Sequence, residues 1–281
     1  RDFKLTAYDE NTGRGFLRHV LVKRAFSTGQ VMVVLVTGTP VFTAKRRFVE
    51  KLLRLHPEIT TVLQNVNGKR TSLVLGDQEK VLYGPGTIVD ELCGCRFRIS
   101  AKSFYQINPV QTQVLYNKAM EFAGLTGKER VLDAYCGIGT IGLVAAKHGA
   151  GQVLGVELNP QAVKDAIQNA RENGVKNAWF TQGDAGEFLA DAALEGERWD
   201  VVFLDPPRAG ASQEFLTALA ACAPRRVVYI SCDPETLSRD LGILQANHYR
   251  IEKIQPVDMF PHTQHIECVV RLSRKENRHE S

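Results

Sequence analysis

In Tyr229-Ile230-Ser231-Cys232-Asp233-Pro234 a cysteine stands where an apolar run gives out. Val227, Val228, Tyr229 and Ile230 are β-branched or aromatic and predict a buried strand. Asp233-Pro234 stops it, so Cys232 is expected at the strand's carboxyl end, the edge where open parallel sheets bind ligands. A thiol there is either a nucleophile or an inert core side chain. Free thiols titrate near ~8.5, so a nucleophile needs its pKa lowered. Asp233 works against that; the helix N-terminus after Pro234, Arg208 and Arg239 are the groups that could work for it. The second chemical group is Glu267, in His265-Ile266-Glu267-Cys268-Val269-Val270. A carboxylate opening an apolar strand needs a partner if buried; it is a general base or half of an ion pair. Cys222, in Ala220-Ala221-Cys222-Ala223, and Cys136, in a tight turn, read as packing residues.

A ligand for the same edge is suggested by Val131-Leu132-Asp133-Ala134-Tyr135-Cys136-Gly137-Ile138-Gly139-Thr140, a strand running through a glycine turn into a helix. Glycines there let backbone amides approach a ligand at a helix N-terminus. Alone, the pattern is equally a plain strand-to-helix turn, and it lacks the third glycine of a dinucleotide fingerprint. Glu157 ends the next strand, where an acid can accept hydrogen bonds from ribose hydroxyls. Asp184 follows the third strand and could meet an adenine amino group; Asp205 follows the fourth, in Leu204-Asp205-Pro206-Pro207-Arg208. Singly, each reads as a cap or a solvated turn residue. Together, four strands ending in polar residues at one edge favour an adenosine-type ligand, S-adenosylmethionine rather than NAD.

A thiol, a carboxylate base and a methyl donor suit methylation of a pyrimidine at carbon 5. That carbon is a poor nucleophile until a thiolate adds at carbon 6 and makes it enolate-like. A base must then remove the carbon-5 proton so that the cysteine can leave.

These residues have to be carried by elements. Strand-like segments at 130–134, 152–157, 178–182, 200–204, 226–231, 249–256 and 265–272 alternate with helical spacing, clearest over 160–173, with Pro160 in the first turn and Gly174 at the stop. The alternation predicts an α/β, doubly wound, mainly parallel seven-stranded sheet. The connection 257–264 is too short for a helix, so the last strand should return antiparallel. Residues 1–98 are β-rich. Segments 15–22 and 31–36 flank the turn Ser27-Thr28-Gly29-Gln30, 48–55 is helical, and 60–66 and 71–75 flank Asn67-Gly68, which predicts an α+β domain with an antiparallel sheet. The expected domains are therefore 1–98 and 99–281. At 281 residues, 44% hydrophobic and 23% charged, the chain is an ordinary globular one. A net charge of +4 is compatible with a nucleic-acid partner without arguing for one. No apolar run suits a membrane span and no signal peptide opens the chain, so a cytoplasmic protein with no membrane partner is expected. Without an initiator Met, the chain reads as a piece of a longer protein lacking its N-terminal part.

On five motifs, Ser103-Phe104-Tyr105-Gln106-Ile107-Asn108-Pro109, Asp133-Ala134-Tyr135-Cys136-Gly137-Ile138-Gly139, Asp205-Pro206-Pro207-Arg208, Ser231-Cys232-Asp233-Pro234 and His265-Ile266-Glu267-Cys268, residues 96–281 resemble the RNA uracil carbon-5 methyltransferases. The earlier half is similar to that family's central β-domain through 8–36 and 65–84. The resemblance implies a Rossmann-like methyltransferase that makes 5-methyluridine from S-adenosylmethionine. It makes Cys232 the nucleophile and Glu267 the base. Gln106, Tyr135, Glu157, Asp205 and Asp184 become cofactor contacts beside Gly137 of the glycine turn, Asp205 also lying near the uracil; Phe104 and Tyr105 read either as core or as aromatic residues that shape the pocket for an extruded base. Thr140 departs from the asparagine that several members carry. The implied partner is RNA, 23S rRNA first and the tRNA T-loop second, with a monomeric enzyme expected. A non-catalytic RNA-binding module is the competing reading, against which Cys232 and Glu267 speak. Cys93 and Cys95 do not have the spacing of the iron–sulfur cluster found in many members, so neither a cluster nor another metal is expected in this stretch.

Overall fold

The structure, a computed structural model, describes residues 2–275. The chain forms two compact units, one running to Glu91 and including Phe97–Phe104, the other comprising Leu92–Arg96 and everything from Tyr105 onward. It passes between them along a ribbon of β5 (Ile88–Leu92) and β6 (Cys95–Ile99), whose turn Cys93-Gly94 takes positive φ at both residues.

The first unit is a four-stranded sheet in the order β1-β2-β3-β4, the label order being β1 (Leu17–Arg24), β2 (Val31–Thr37), β3 (Ile59–Val66) and β4 (Gln78–Tyr83). It is mixed, not antiparallel as the sequence suggested. Helix α1 (Lys45–Leu55) intervenes between β2 and β3, and a strand–helix–strand crossover brings the second strand back parallel to the first. Val49 of α1 packs with Phe42 on Val31, Val33, Leu35 and Val62. The strand expected at 71–75 does not form; the partner of β3 is β4, further along. Side-chain amides claim the intervening backbone. Asn67 donates to the carbonyls of Leu73 (2.7 Å) and Val74 (3.2 Å), and Asn65 exchanges bonds with Gly76 at 3.1 and 2.7 Å.

The second unit is a seven-stranded α/β sheet. Its strands are β7 (Arg130–Asp133), β8 (Gln152–Glu157), β9 (Ala178–Gln182), β10 (Val201–Leu204), β11 (Arg226–Ser231), β12 (Tyr249–Val257) and β13 (Glu267–Arg274). Helix α2 (Pro109–Ala123) precedes them, and α3 (Thr140–Lys147), α4 (Pro160–Glu172), α5 (Ala185–Leu194), α6 (Gln213–Cys222) and α7 (Pro234–Ala246) connect successive strands. The order is β12-β13-β11-β10-β7-β8-β9, with β7 to β11 parallel and β13 antiparallel to both its neighbours. β10 is buried along its whole length, as a strand covered on both faces must be. Strand order reverses between β7 and β10, which opens a crevice at their carboxyl ends, the switch point where such sheets bind ligands. Cys222 is fully buried in the core cluster with Leu189, Phe215 and Leu219. Among the described residues no helix is long and apolar enough to cross a membrane.

Candidate active site

The switch point is furnished from β7 and β8. β7 ends in Asp133, wholly buried, one of whose oxygens accepts the Gly142 N–H at 2.8 Å while the other has no hydrogen-bond partner. Burial pushes this carboxyl up to about 7, helped by the charge of Glu157 and opposed by the Gly142 amide. The chain then turns through Gly137 (φ 53°) and Gly139 (φ 83°), backbone that residues with a Cβ avoid. A Cβ on Gly139 would meet the Phe180 ring at 3.0 Å, whereas one on Gly137 would meet nothing within 4 Å. The turn is thus packed on one side and open at Gly137. Glu157, ending β8, ties it down: one oxygen accepts the Gly137 N–H (3.0 Å), the other the Asn159 N–H (2.8 Å). Thr140 opens α3, its hydroxyl 3.1 Å from that of Tyr116 on α2.

Asp184 is the N-cap of α5, accepting from the Gly186 and Glu187 amides at 2.8 and 3.1 Å. It is a cap residue, and it also faces Tyr135, whose phenol is pushed up by burial and then by the charges of Asp184 and Asp240. Tyr135 packs on Phe215 with ring centroids 5.2 Å apart. The result is an acceptor-rich rim around an open glycine turn, with an orphaned carboxylate oxygen behind it. A ligand bringing ribose hydroxyls and an ammonium group supplies the donors this set lacks.

The thiol and carboxyls singled out by the sequence come from the other half of the sheet. The β11–β13 ladder ends with Ser231 paired to Cys268, so Cys232 leaves β11 next to the start of β13, where the charge of Glu267 reaches its thiol. Glu267 is buried, and burial pushes its carboxyl up to about 7. Asp205, just past β10, is pushed up to about 8 by burial, then by the charges of Glu267 and Asp133. The Cys232 thiol lies above its ordinary value because of burial, Glu267 and Asp205, with a backbone hydrogen bond and Arg208 acting in the opposite direction. Of the groups that could lower it, Arg208 is in place. It donates to Asp233 (3.4 Å) and to Nδ1 of His265 (3.2 Å), which requires that nitrogen unprotonated. Arg239 does not take part; it is engaged with Asp240. Asp233 caps α7, accepting from Glu235 and Thr236 at 3.1 Å each, and those bonds with Arg208 hold its carboxyl low, the Thr236 amide contributing most.

These couplings gather Cys232, Glu267, Asp205, Asp133, Glu157, Tyr135 and Asp184 at one sheet edge. Gln106 is half-buried in the segment leading into α2, which Asn108 fastens to the Met259 carbonyl in the loop before Glu267 (3.0 Å). Phe104 belongs to the first unit and is three-quarters exposed, at 75%. Sequence reasoning singled out neither Asp133 nor His265, Tyr116 and Asp240. The acid closing the apolar run Val131-Leu132-Asp133 was a readable signal for the first; the others depend on contacts between distant segments.

A sequence model of the tRNA (uracil-5-)-methyltransferase family matches residues 89–275. The chain belongs to that family. An uncharacterized RNA methyltransferase of Clostridium acetobutylicum is 44% identical over 274 residues, covering 98% of this chain and 59% of that protein. One of Enterococcus faecalis is 46% identical over 274 residues, covering 98% and 60%. The tRNA (uracil-54, C5)-methyltransferase of Pyrococcus abyssi, solved with S-adenosyl-L-homocysteine, has a TM-score of 0.79 at 28% identity, over 96% of this chain and 63% of that one. The chain therefore spans about three fifths of the length of the relatives it matches. Family membership rests on the match over residues 89–275, and the α/β fold is shared with a methyltransferase solved with S-adenosyl-L-homocysteine.

Proposed function

We propose that the chain transfers a methyl group from S-adenosylmethionine to carbon 5 of a uridine in RNA, through a covalent bond between Cys232 and carbon 6. The observation that carries this reading is the end of the β11–β13 ladder, beyond which a thiol lies within electrostatic reach of a buried carboxyl, with Asp205 coupled to both. Bound S-adenosylmethionine supplies the electrophilic methyl group. Gly137, Glu157, Asp184, Tyr135, Asp205 and Gln106 hold it at the switch point. Addition of the Cys232 thiolate to carbon 6 opens the 5,6 double bond and leaves carbon 5 enolate-like. After carbon 5 takes the methyl group, Glu267 removes its proton. The electron pair restores the double bond, the sulfur–carbon bond breaks and the thiolate returns. A base with its pKa near the working pH is half ready at neutrality and strong enough to take that proton. Arg208 works against the two carboxyls that oppose thiolate formation, though burial and those carboxyls outweigh it. Phe104 offers an exposed ring on which an RNA base can stack.

As substrate we propose 23S rRNA, on the motif resemblance of residues 96–281 to the bacterial enzymes that modify it. The tRNA specificity of the Pyrococcus abyssi neighbour supports tRNA as the second reading. The intact protein would be incubated with S-adenosylmethionine and 23S rRNA lacking 5-methyluridine, with unmodified tRNA and Cys232→Ala as controls, and nucleosides analysed by mass spectrometry. New 5-methyluridine in rRNA alone, lost in the variant, supports the full reading. Label in tRNA transfers it to the second substrate, and product from Cys232→Ala removes the covalent step.

A further inference from the structure

The segment between β10 and α6 carries Asp205 and Arg208, and α7 begins immediately after Cys232. Loop and helix are joined by a polar network that the reaction scheme does not use. Asp240, fully buried in the second turn of α7, accepts from the Tyr229 hydroxyl at 2.6 Å, from the Ala211 amide at 2.8 Å and from Arg239 Nε at 2.8 Å. Arg239 reaches back with Nη2 to the carbonyls of Ala209 (2.9 Å) and Ala211 (3.2 Å), and the Thr236 hydroxyl donates to the Arg208 carbonyl at 3.2 Å. Gly210 (φ 79°) passes so close that a Cβ on it would lie 2.5 Å from Arg239 Nη2 and 2.7 Å from Asp240.

An apolar contact would hold a loop on a helix without the cost of burying a charge. A saturated network of directed bonds instead fixes one geometry. Here it fixes the carbonyls of Arg208, Ala209 and Ala211 and the amide of Ala211, the far end of the segment that begins at Asp205, while Tyr229 joins the strand that delivers Cys232.

We propose that Asp240 and Arg239 are positioning residues, a clamp that holds the Asp205 and Arg208 loop in register with the nucleophile at the start of α7. The inference rests on Cys232 being the reactive thiol. Arg208 is the side chain that favours the thiolate against Glu267 and Asp205, so its placement should be readable in the thiol itself.

The test is the rate of Cys232 alkylation by iodoacetamide against pH, followed by peptide mass spectrometry in the intact protein. Asp240→Asn, Arg239→Met, Arg239→Lys and Tyr229→Phe are compared with wild type, together with methylation kinetics and circular dichroism. In variants that keep the wild-type spectrum, Asp240→Asn and Arg239→Met should move the alkylation midpoint to higher pH. They should also lower kcat by about 10²-fold, the scale of a roughly ångström misplacement. Arg239→Lys should recover part of both. If Asp240→Asn does not fold, Tyr229→Phe, which removes one hydroxyl, should give a smaller shift in the same direction. Folded variants whose midpoint and kcat match wild type, or whose melting temperature alone falls, overturn the clamp. Turnover surviving in Cys232→Ala would overturn the methylation mechanism instead, and the alkylation profiles would still report on the clamp.

Discussion

At the scale of single residues, Cys232 and Glu267 carry opposing demands. Glu267 is one of two carboxyls that raise the thiol, yet the proposed chemistry needs it as the base. Glu267→Gln should therefore separate the two effects. Its neutral amide removes a charge facing Cys232, so alkylation at neutral pH speeds up, while turnover falls by roughly 10²–10⁴-fold with the base gone. RNA should accumulate as a denaturant-stable adduct on gel electrophoresis, because the carbon-5 proton stays and sulfur cannot leave. Slower alkylation, or turnover close to wild type, would contradict the assignment. The pH profile follows from the same groups. Glu267 is a base only above about 7, and the thiol ionises above its usual range, so both effects point the same way. Steady-state kcat/KM should rise across roughly pH 6 to 8, and a flat or falling profile would exclude Glu267 as base. Both residues were legible in the sequence because their types stand out at strand ends. Asp184 was legible in two ways and is observed as a cap facing Tyr135. The Asp240 clamp was not legible, because its meaning lies in carbonyls 28 to 30 residues away.

At the scale of elements, the glycine turn proposed to hold the cofactor rests on the packing of β8 against β9. Gly155 of β8 leaves room for the Phe180 ring: a Cβ there would lie 2.4 Å from the ring and 2.9 Å from Cys136 Sγ. Gly155→Ala should cost about 1–3 kcal/mol by overpacking. By displacing Cys136 it should also weaken S-adenosylhomocysteine binding, measured by calorimetry alongside denaturant unfolding; unchanged affinity would show that the turn does not sense the strand beneath it. Strands and helices of the second unit were legible because buried parallel strands read as apolar runs between amphipathic segments. The first unit is less legible. Helix 48–55 was visible, but its consequence, a parallel β3, is a matter of crossover topology rather than periodicity. The 71–75 segment has strand composition, yet Asn65 and Asn67 hold Gly76, Leu73 and Val74 by their backbone groups, and no propensity scale weighs that competition.

At the scale of the whole molecule, the switch point gathers three carboxyls, Asp133, Asp205 and Glu267, that the folded chain holds at about 7, 8 and 7. Unfolded carboxylates titrate near ~4. The native state thus binds more protons than the unfolded chain between those limits, and stability must fall as pH rises through them. The favourable contribution is fully present below about pH 4, where both states are protonated, and is lost by about pH 8. This is the cost of crowding acids where the proposed reaction needs a base and cofactor contacts, and a bound ligand would offset it by mass action. The melting temperature of the ligand-free protein should fall between about pH 5 and pH 8. Glu267→Gln removes one of the three titrations. At about pH 8 it should raise stability by on the order of 2 kcal/mol, roughly 4–8 °C for a unit of this size. Near about pH 4 the gain should vanish, because the wild-type carboxyl is then protonated in both states. Scanning calorimetry of the pair across that range decides the matter: a gain that does not change with pH would mean that Glu267 destabilises the fold by its shape rather than its charge, and the site would lose the electrostatic tension on which its proposed chemistry depends.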